Sequence, residues 1–283
     1  MDSHQDLPKF RHPPLVEVVH GVQFKRVPMT IVHPGLFFEC IKDKFPKSQT
    51  VPTIPSLQPL FEPTLRQPPS ALQLMEADEL PRAWFIADDD IMLLQLQVDR
   101  LLLNWRKEPT YAVYPHFENV HERFNEAYAA FEQFLATEGL GSLEPELCEL
   151  TYINHIPANR PDGGAKALRD VFLSWNDDIG PEWRQPVDGL NWSARYTLRY
   201  GEGTADARMT ANLSQIGKPG VSKGEQPSEI PRYFQLDISV HGRPLGVGQE
   251  GVAAFHQRAH SDIVNYFKAV TSASAHLEWE IIS

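Results

Sequence analysis

The sequence predicts an α+β protein of two tandem units, each running strand, short helix, several antiparallel strands, long helix. Two patterns carry that expectation. Apolar residues recur every three or four positions along two long stretches, Phe117, Val120, Phe124, Tyr128, Phe131 and Leu135, then Val252, Phe255, Ala259, Ile263, Phe267 and Val270. That is the single apolar stripe of a helix lying on a sheet. Elsewhere the period falls to two: Leu94, Leu96 and Val98 alternate with Gln95, Gln97 and Asp99, the pattern of a strand with one face buried.

Residues 15–24, LVEVVHGVQF, are rich in β-branched side chains and read as the first strand. A short amphipathic helix is expected over 35–45, with Leu36, Phe37, Cys40 and Ile41 on one side. The seven prolines from Pro46 to Pro69 exclude helix and central strand, leaving a surface connection with one edge strand near 57–61. Segments 82–87 and 91–98 flank a hairpin turn at Asp88-Asp89-Asp90, and another strand follows at 101–105. The long helix over 114–138 ends at Gly139 and Gly141.

The second half repeats the order. A strand at 147–156 is followed by a short helix at 166–175 and strands at 190–200, 207–213 and 233–240. A Gly/Pro/Ser-rich loop spans 217–231, and a short strand at 277–282 closes the chain after the second long helix. The halves divide as 1–140 and 141–283, packed as one unit. The shared order of elements is a stronger sign of internal duplication than the faint match of VEVV at 16–19 with CELT at 148–151. Two such units joined edge to edge give a broad curved sheet with both long helices on one face. TATA-binding-protein-like and helix-grip folds are arranged this way, an analogy that carries no function with it.

Composition narrows the function classes. With 42% hydrophobic residues and 10% aromatics the 283-residue chain is a folded one. It has neither an apolar run long enough to span a bilayer nor an apolar segment near the N-terminus, so a cytoplasmic protein with no membrane partner is expected. Cys40 and Cys148 lack metal-site spacing and read as buried free thiols. A net charge of −11 argues against a nucleic-acid partner, since phosphate contacts need clustered Lys and Arg. The acidity is uneven: residues 116–149 carry eight glutamates against the single base Arg123.

Four segments, PPLVEVVHGVQF at 13–24, LQLQVDRLLLNWR at 94–106, ELTYINHI at 149–156 and AHSDIVNYFKAVT at 259–271 with Trp279 shortly after, form a set. Together they resemble a sporadically distributed prokaryotic family of about this length with no established activity. The resemblance leaves 46–80 and 217–231 uncovered. It implies a bacterial, cytosolic protein in a mobile or defence-related gene context, and it supplies no catalytic residues.

No conventional catalytic constellation stands out. His256 and His260 share a helix face at metal-ligand spacing, but neither the zincin glutamate nor a third ligand accompanies them, so a packed pair is expected and no metal. Glycines at 246, 248 and 251 precede a helix without P-loop spacing or lysine, so no phosphate cofactor is implied. No GxSxG elbow occurs. Cys148 and His155 on one strand lie roughly 23 Å apart, too far to pair.

What does stand out is the polar face of the strands. Arg195 and Arg199, with Asn191, Ser193 and Thr197, point one way from the first of the three second-half strands. Arg208, Thr210 and Asn212 do so from the next, and Tyr233, Gln235, Asp237 and Ser239 from the last. Gln95, Gln97, Asn104 and Arg106 supply a similar set in the first half. A solvated sheet face is polar anyway, but Arg, Asn, Gln, Thr and Tyr favour directional hydrogen bonding and stacking over mere solvation. Tyr152, Asn154 and His155 need partners in a partly buried strand, in the core or around a pocket between the halves. The expectation is a non-enzymatic binding protein holding a protein or an anionic small molecule on its open sheet face or in the inter-half groove. The candidate residues are Arg106, Asn104, Tyr152, Asn154, His155, Arg195, Arg199 and Arg208. The alternative is an enzyme acting on a nucleotide or phosphorylated substrate, with the arginines as charge clamp.

Overall fold

The computed structural model describes residues 7–58, 61, 80–107, 113–158, 168–173, 190–201, 206–217 and 232–282. Within them nine strands form one antiparallel sheet: β1 (Leu15–Phe24), β2 (Lys47–Val51), β3 (Arg82–Ile86), β4 (Met92–Gln97), β5 (Arg100–Arg106), β6 (Pro145–Pro157), β7 (Asn191–Leu198), β8 (Ala207–Gly217) and β9 (Arg232–Gly242). Their order across the sheet is β2-β3-β4-β5-β1-β6-β9-β8-β7. Every strand of residues 1–140 therefore lies on one side of the β1/β6 seam and every strand of 141–283 on the other. At that seam Val18 faces Tyr152 and Val22 faces Cys148.

The register sorts side chains onto two faces. Val18, His20, Val22 and Phe24 of β1 share one face with Trp105, Leu103 and Leu101 of β5 and with Tyr152, Leu150 and Cys148 of β6. The long helices α2 (His116–Thr137) and α4 (Gly248–Val270) cover that face and touch each other above it. Their buried residues are the stripe read from the sequence except Val270, which is half-buried, joined by His121, Ala127 and Phe134 in α2 and by Gly251 and His256 in α4. The short helix α1 (His33–Ile41) packs beside α2, placing Phe37 between Phe85 and Phe131. At the other end α3 (Leu168–Val171) packs on α5 (Ala273–Glu278). A core of this extent is ample for a chain of this length. Among the described residues no helix is long and apolar enough to cross a membrane.

Several expectations need correction. Cys148 is buried, but Cys40 is exposed, and Leu36 beside it is too; Phe37 and Ile41 of that helix are buried and Phe38 is half-buried against Phe85. A helix lying at the sheet margin buries a narrower stripe than its four apolar residues suggest. The described edge strand of the proline-dense stretch is β2 at Lys47–Val51, between Pro46 and the later prolines that cannot donate to a ladder; of the expected edge strand at 57–61, residues 57, 58 and 61 are not in a strand and 59–60 lie outside the described residues. Residues 277–282 do not form a strand: α5 runs to Glu278, and only an isolated bridge joins Ile281 to Phe10. Strand β4 is buried on both faces, including Gln95 and Gln97. Of the expected helix at 166–175, the described residues 168–173 hold the short helix α3, and the rest of it lies outside the described residues, as does all of the expected loop at 217–231 beyond residue 217.

Candidate functional site

A well-formed cavity of about 440 Å³ opens between the sheet and the two long helices, close to the seam between the halves. The size is that of a small-molecule site. Its floor is Tyr152 and Asn154 of β6 with Ile238 of β9. One wall is the first turn of α2, with Phe117, Glu118 and Asn119; the other is the last turns of α4, with His260, Ile263, Val264 and Phe267. The extended segment 7–13 forms the lid, with Leu7, Pro8 and Phe10 facing in. That lid is tied to the chain's far end: Arg11 N–H donates to the Glu280 carbonyl, His12 N–H to the Trp279 carbonyl and Ile282 N–H to the Lys9 carbonyl, while Phe10 sits edge-on to Phe267 and Trp279.

At the polar end three groups form a chain. The Tyr152 hydroxyl lies 3.2 Å from the Tyr114 hydroxyl and 2.8 Å from His260 Nδ1. The His260 ring is held flat against Phe117, with 4.1 Å between centroids and 1° between planes. Burial pushes both tyrosine hydroxyls up and pulls His260 down to about 4, so all three are neutral at pH 7. The charged groups Lys9 and Glu118 lie at the exposed rim. Chemically, the cavity offers apolar walls and one uncharged donor–acceptor relay.

Beneath this relay lies a second polar cluster. The rings of His20, His121 and His256 sit with centroids 5.1 to 5.7 Å apart, enclosed by Phe117 and Phe124. His256 Nε2 is 3.1 Å from both the Gly21 and Glu149 carbonyls, which only accept, so this nitrogen carries the proton. Nδ1 of His256, Nδ1 of His121 and both ring nitrogens of His20 are buried with no hydrogen-bond partner among the described residues. Burial drives His20 well down and His256 to about 3. Among the described residues no three His, Cys, Asp or Glu are placed to hold a metal ion. His256 and His260 thus serve separate networks despite sharing a helix face.

The other predicted residues are not in the cavity. Register places Asn104, Arg106, Arg195 and Arg208 on the opposite, polar face with His155. Asn104 donates to Glu17 and accepts from Gln95, Arg106 donates to the Asp90 carbonyl, and His155 lies 3.1 Å from Gln235 Oε1. Arg195 and Arg199 are exposed, and Arg208 is half-buried. Tyr152, Asn154 and His155 were expected to share one environment, but alternation separates them: Asn154 donates to the Leu236 carbonyl on the helix side, and His155 faces away. The glycines at 246, 248 and 251 answer to backbone geometry at the start of α4. A Cβ on Gly251 would come within 2.3 Å of the Gly246 backbone, and Gly246 and Gly248 have positive φ.

Sequence reasoning missed Tyr114, Phe117 and His260 as a site, having read Phe117 as core and His260 as a packed partner of His256. The available signal was a polar ring on an apolar stripe at the same helix end as the buried Tyr152. Compared with known proteins, the chain matches no protein-family model, and no curated protein matches it in sequence.

Proposed function

We propose that the chain is a non-enzymatic binding protein whose cleft between sheet and long helices holds a small, largely apolar molecule through one hydrogen-bonding group. The observation that carries this is the Tyr114–Tyr152–His260 relay, neutral and directed to the end of an apolar cavity of about 440 Å³. A charged group at that end would meet no compensating charge. An anionic ligand fits only with its charge at the rim, near Lys9, because the lining contains no arginine among the described residues.

A tandem duplication of helix-grip type underlies this cleft. The order β5-β1-β6-β9 is symmetric about its centre, the two first strands side by side and the last strand of each half flanking its own first strand, with α2 and α4 following equivalent strands. The family resemblance adds a bacterial, cytosolic setting of the defence or mobile-element kind.

Val264→Trp tests the proposal by filling the cavity from one wall. Native mass spectrometry of the purified chain, with an environment-sensitive apolar dye as probe, should show a bound species that the variant loses while its melting temperature holds within a few degrees. Equal dye uptake by both proteins, or none by the native chain, would reject a ligand cleft. The alternative, an enzyme working on a nucleotide or phosphorylated substrate, would have to keep the phosphate at the rim near Lys9, and product formation in a nucleotide screen would favour it.

A further inference from the structure

The polar sheet face is partly covered by the chain's own proline-dense segment, and the manner of that covering is unusual. The segment crosses strands without forming a ladder. At Ile54, the backbone N–H donates to Gln97 Oε1 (3.0 Å) and the carbonyl accepts from Gln97 Nε2 (3.1 Å). Three residues on, Leu57 repeats the arrangement with Gln23: N–H to Oε1 at 2.6 Å, carbonyl from Nε2 at 3.2 Å. Arg100 sits between the two glutamines, donating through Nη2 to Gln23 Oε1 (2.7 Å) and to the Pro55 carbonyl (3.0 Å). Each carboxamide grips both backbone groups of one residue, as a strand would. The spacing of three is the period of an extended polyproline-type chain, whose i and i+3 residues share a face. Pro52 and Pro55, which have no N–H to offer, face outward and are exposed.

We infer that Gln23, Gln97 and Arg100 form a groove for an extended peptide of the type Pro-x-aliphatic-Pro-x-aliphatic, occupied in the free protein by residues 52–57. The partner is another protein presenting such a segment. Two features support exchange over permanent covering. The grip reads backbone at every third residue, joined by the Ser56 hydroxyl donating to Asp99, so any chain that presents this short pattern can supply the peptide. The covered residues are polar, so water can replace the lost hydrogen bonds when the segment leaves, whereas an apolar surface would remain exposed at full cost. Arg100 is buried with its Nε unpartnered and no carboxylate beside it among the described contacts, so its cover contributes no ion pair that displacement would break. The groove is on the face opposite the cleft and does not depend on it.

The experiment uses the full chain and a labelled peptide VPTIPSLQ, the sequence of 51–58, followed by fluorescence anisotropy. The tethered segment competes at an effective concentration of about millimolar. Loosening it with Ile54→Pro and Leu57→Pro, which removes both gripped N–H groups, should therefore tighten peptide binding at least tenfold over the native chain. Adding Gln97→Leu to the loosened chain should abolish binding, and a scrambled peptide should not bind. No saturable binding by the folded, loosened chain would overturn the proposal, as would equal binding after Gln97→Leu. Failure of the loosened chain to fold would also count against it, because the groove must survive uncovering. A concentration-dependent dimer of the native chain that the free peptide dissociates would assign the groove to a second copy and overturn the choice of partner.

Discussion

Mild acid should destabilise this protein well above the range in which carboxylates titrate. His256 and His260 fall from an ordinary value of 6.5 to about 3 and about 4 in the folded protein, both through burial. A group whose folded pKa is depressed binds its proton more readily when unfolded. Stability is therefore lost as pH falls through the unfolded value and keeps falling until the folded value is reached. Between pH 7 and pH 5 each of the two histidines removes about 2 kcal/mol, together about 4 kcal/mol. His20 and His121 are shifted the same way and add to the loss. Asp237 opposes it: burial raises its carboxyl, so its penalty is relieved as pH falls through the folded value. A loss of about 4 kcal/mol is large against a typical total of roughly 5–15 kcal/mol. Urea unfolding followed by tryptophan fluorescence at pH 7 and pH 5 measures it. The variant His20→Leu removes one titrating ring and two unpartnered nitrogens, so it should flatten the pH dependence and hold pH 7 stability within about 1 kcal/mol. An unchanged unfolding free energy between the two pH values would refute the reasoning.

Three further outcomes are expected. Gly251→Ala forces a Cβ against the Gly246 backbone and should cost about 1–3 kcal/mol in chemical denaturation, although alanine is the better helix former. Tyr152→Phe leaves the Tyr114 hydroxyl and His260 Nδ1 without their shared partner; it should cost about 1–3 kcal/mol and weaken dye or ligand uptake by the cleft. Arg195→Ala with Arg199→Ala, both exposed, should leave the melting temperature unchanged within error, and any protein captured through the polar face would be lost from pull-downs.

The cleft was half legible. Tyr152 and Asn154 stand out in sequence because polar residues in a central strand need partners. The residues that complete the cavity come from 7–13, 114–119 and 260–267, segments joined only by the sheet's closure at the β1/β6 seam. The polar face was legible as a set of residues, since alternation alone sorts Gln95, Gln97, Asn104 and Arg106 together. Its partial occupation by residues 52–57 was not, because prolines announce the absence of ladder bonds and say nothing of side-chain amides that substitute for them.

Local periodicity determined most of the elements and their order: β1 is found at its predicted bounds, and both long helices bury the stripe that was read apart from Val270. That information resides in single segments, where side-chain spacing alone fixes which face is apolar. Tertiary structure decided what those faces meet. It placed His20, His121 and His256, distant in sequence, around one point. It left Cys40 in solvent and turned the last residues into a helix and a bridge beneath Phe10. Each of these depends on which segments pair across the sheet, and no spacing within a segment records that.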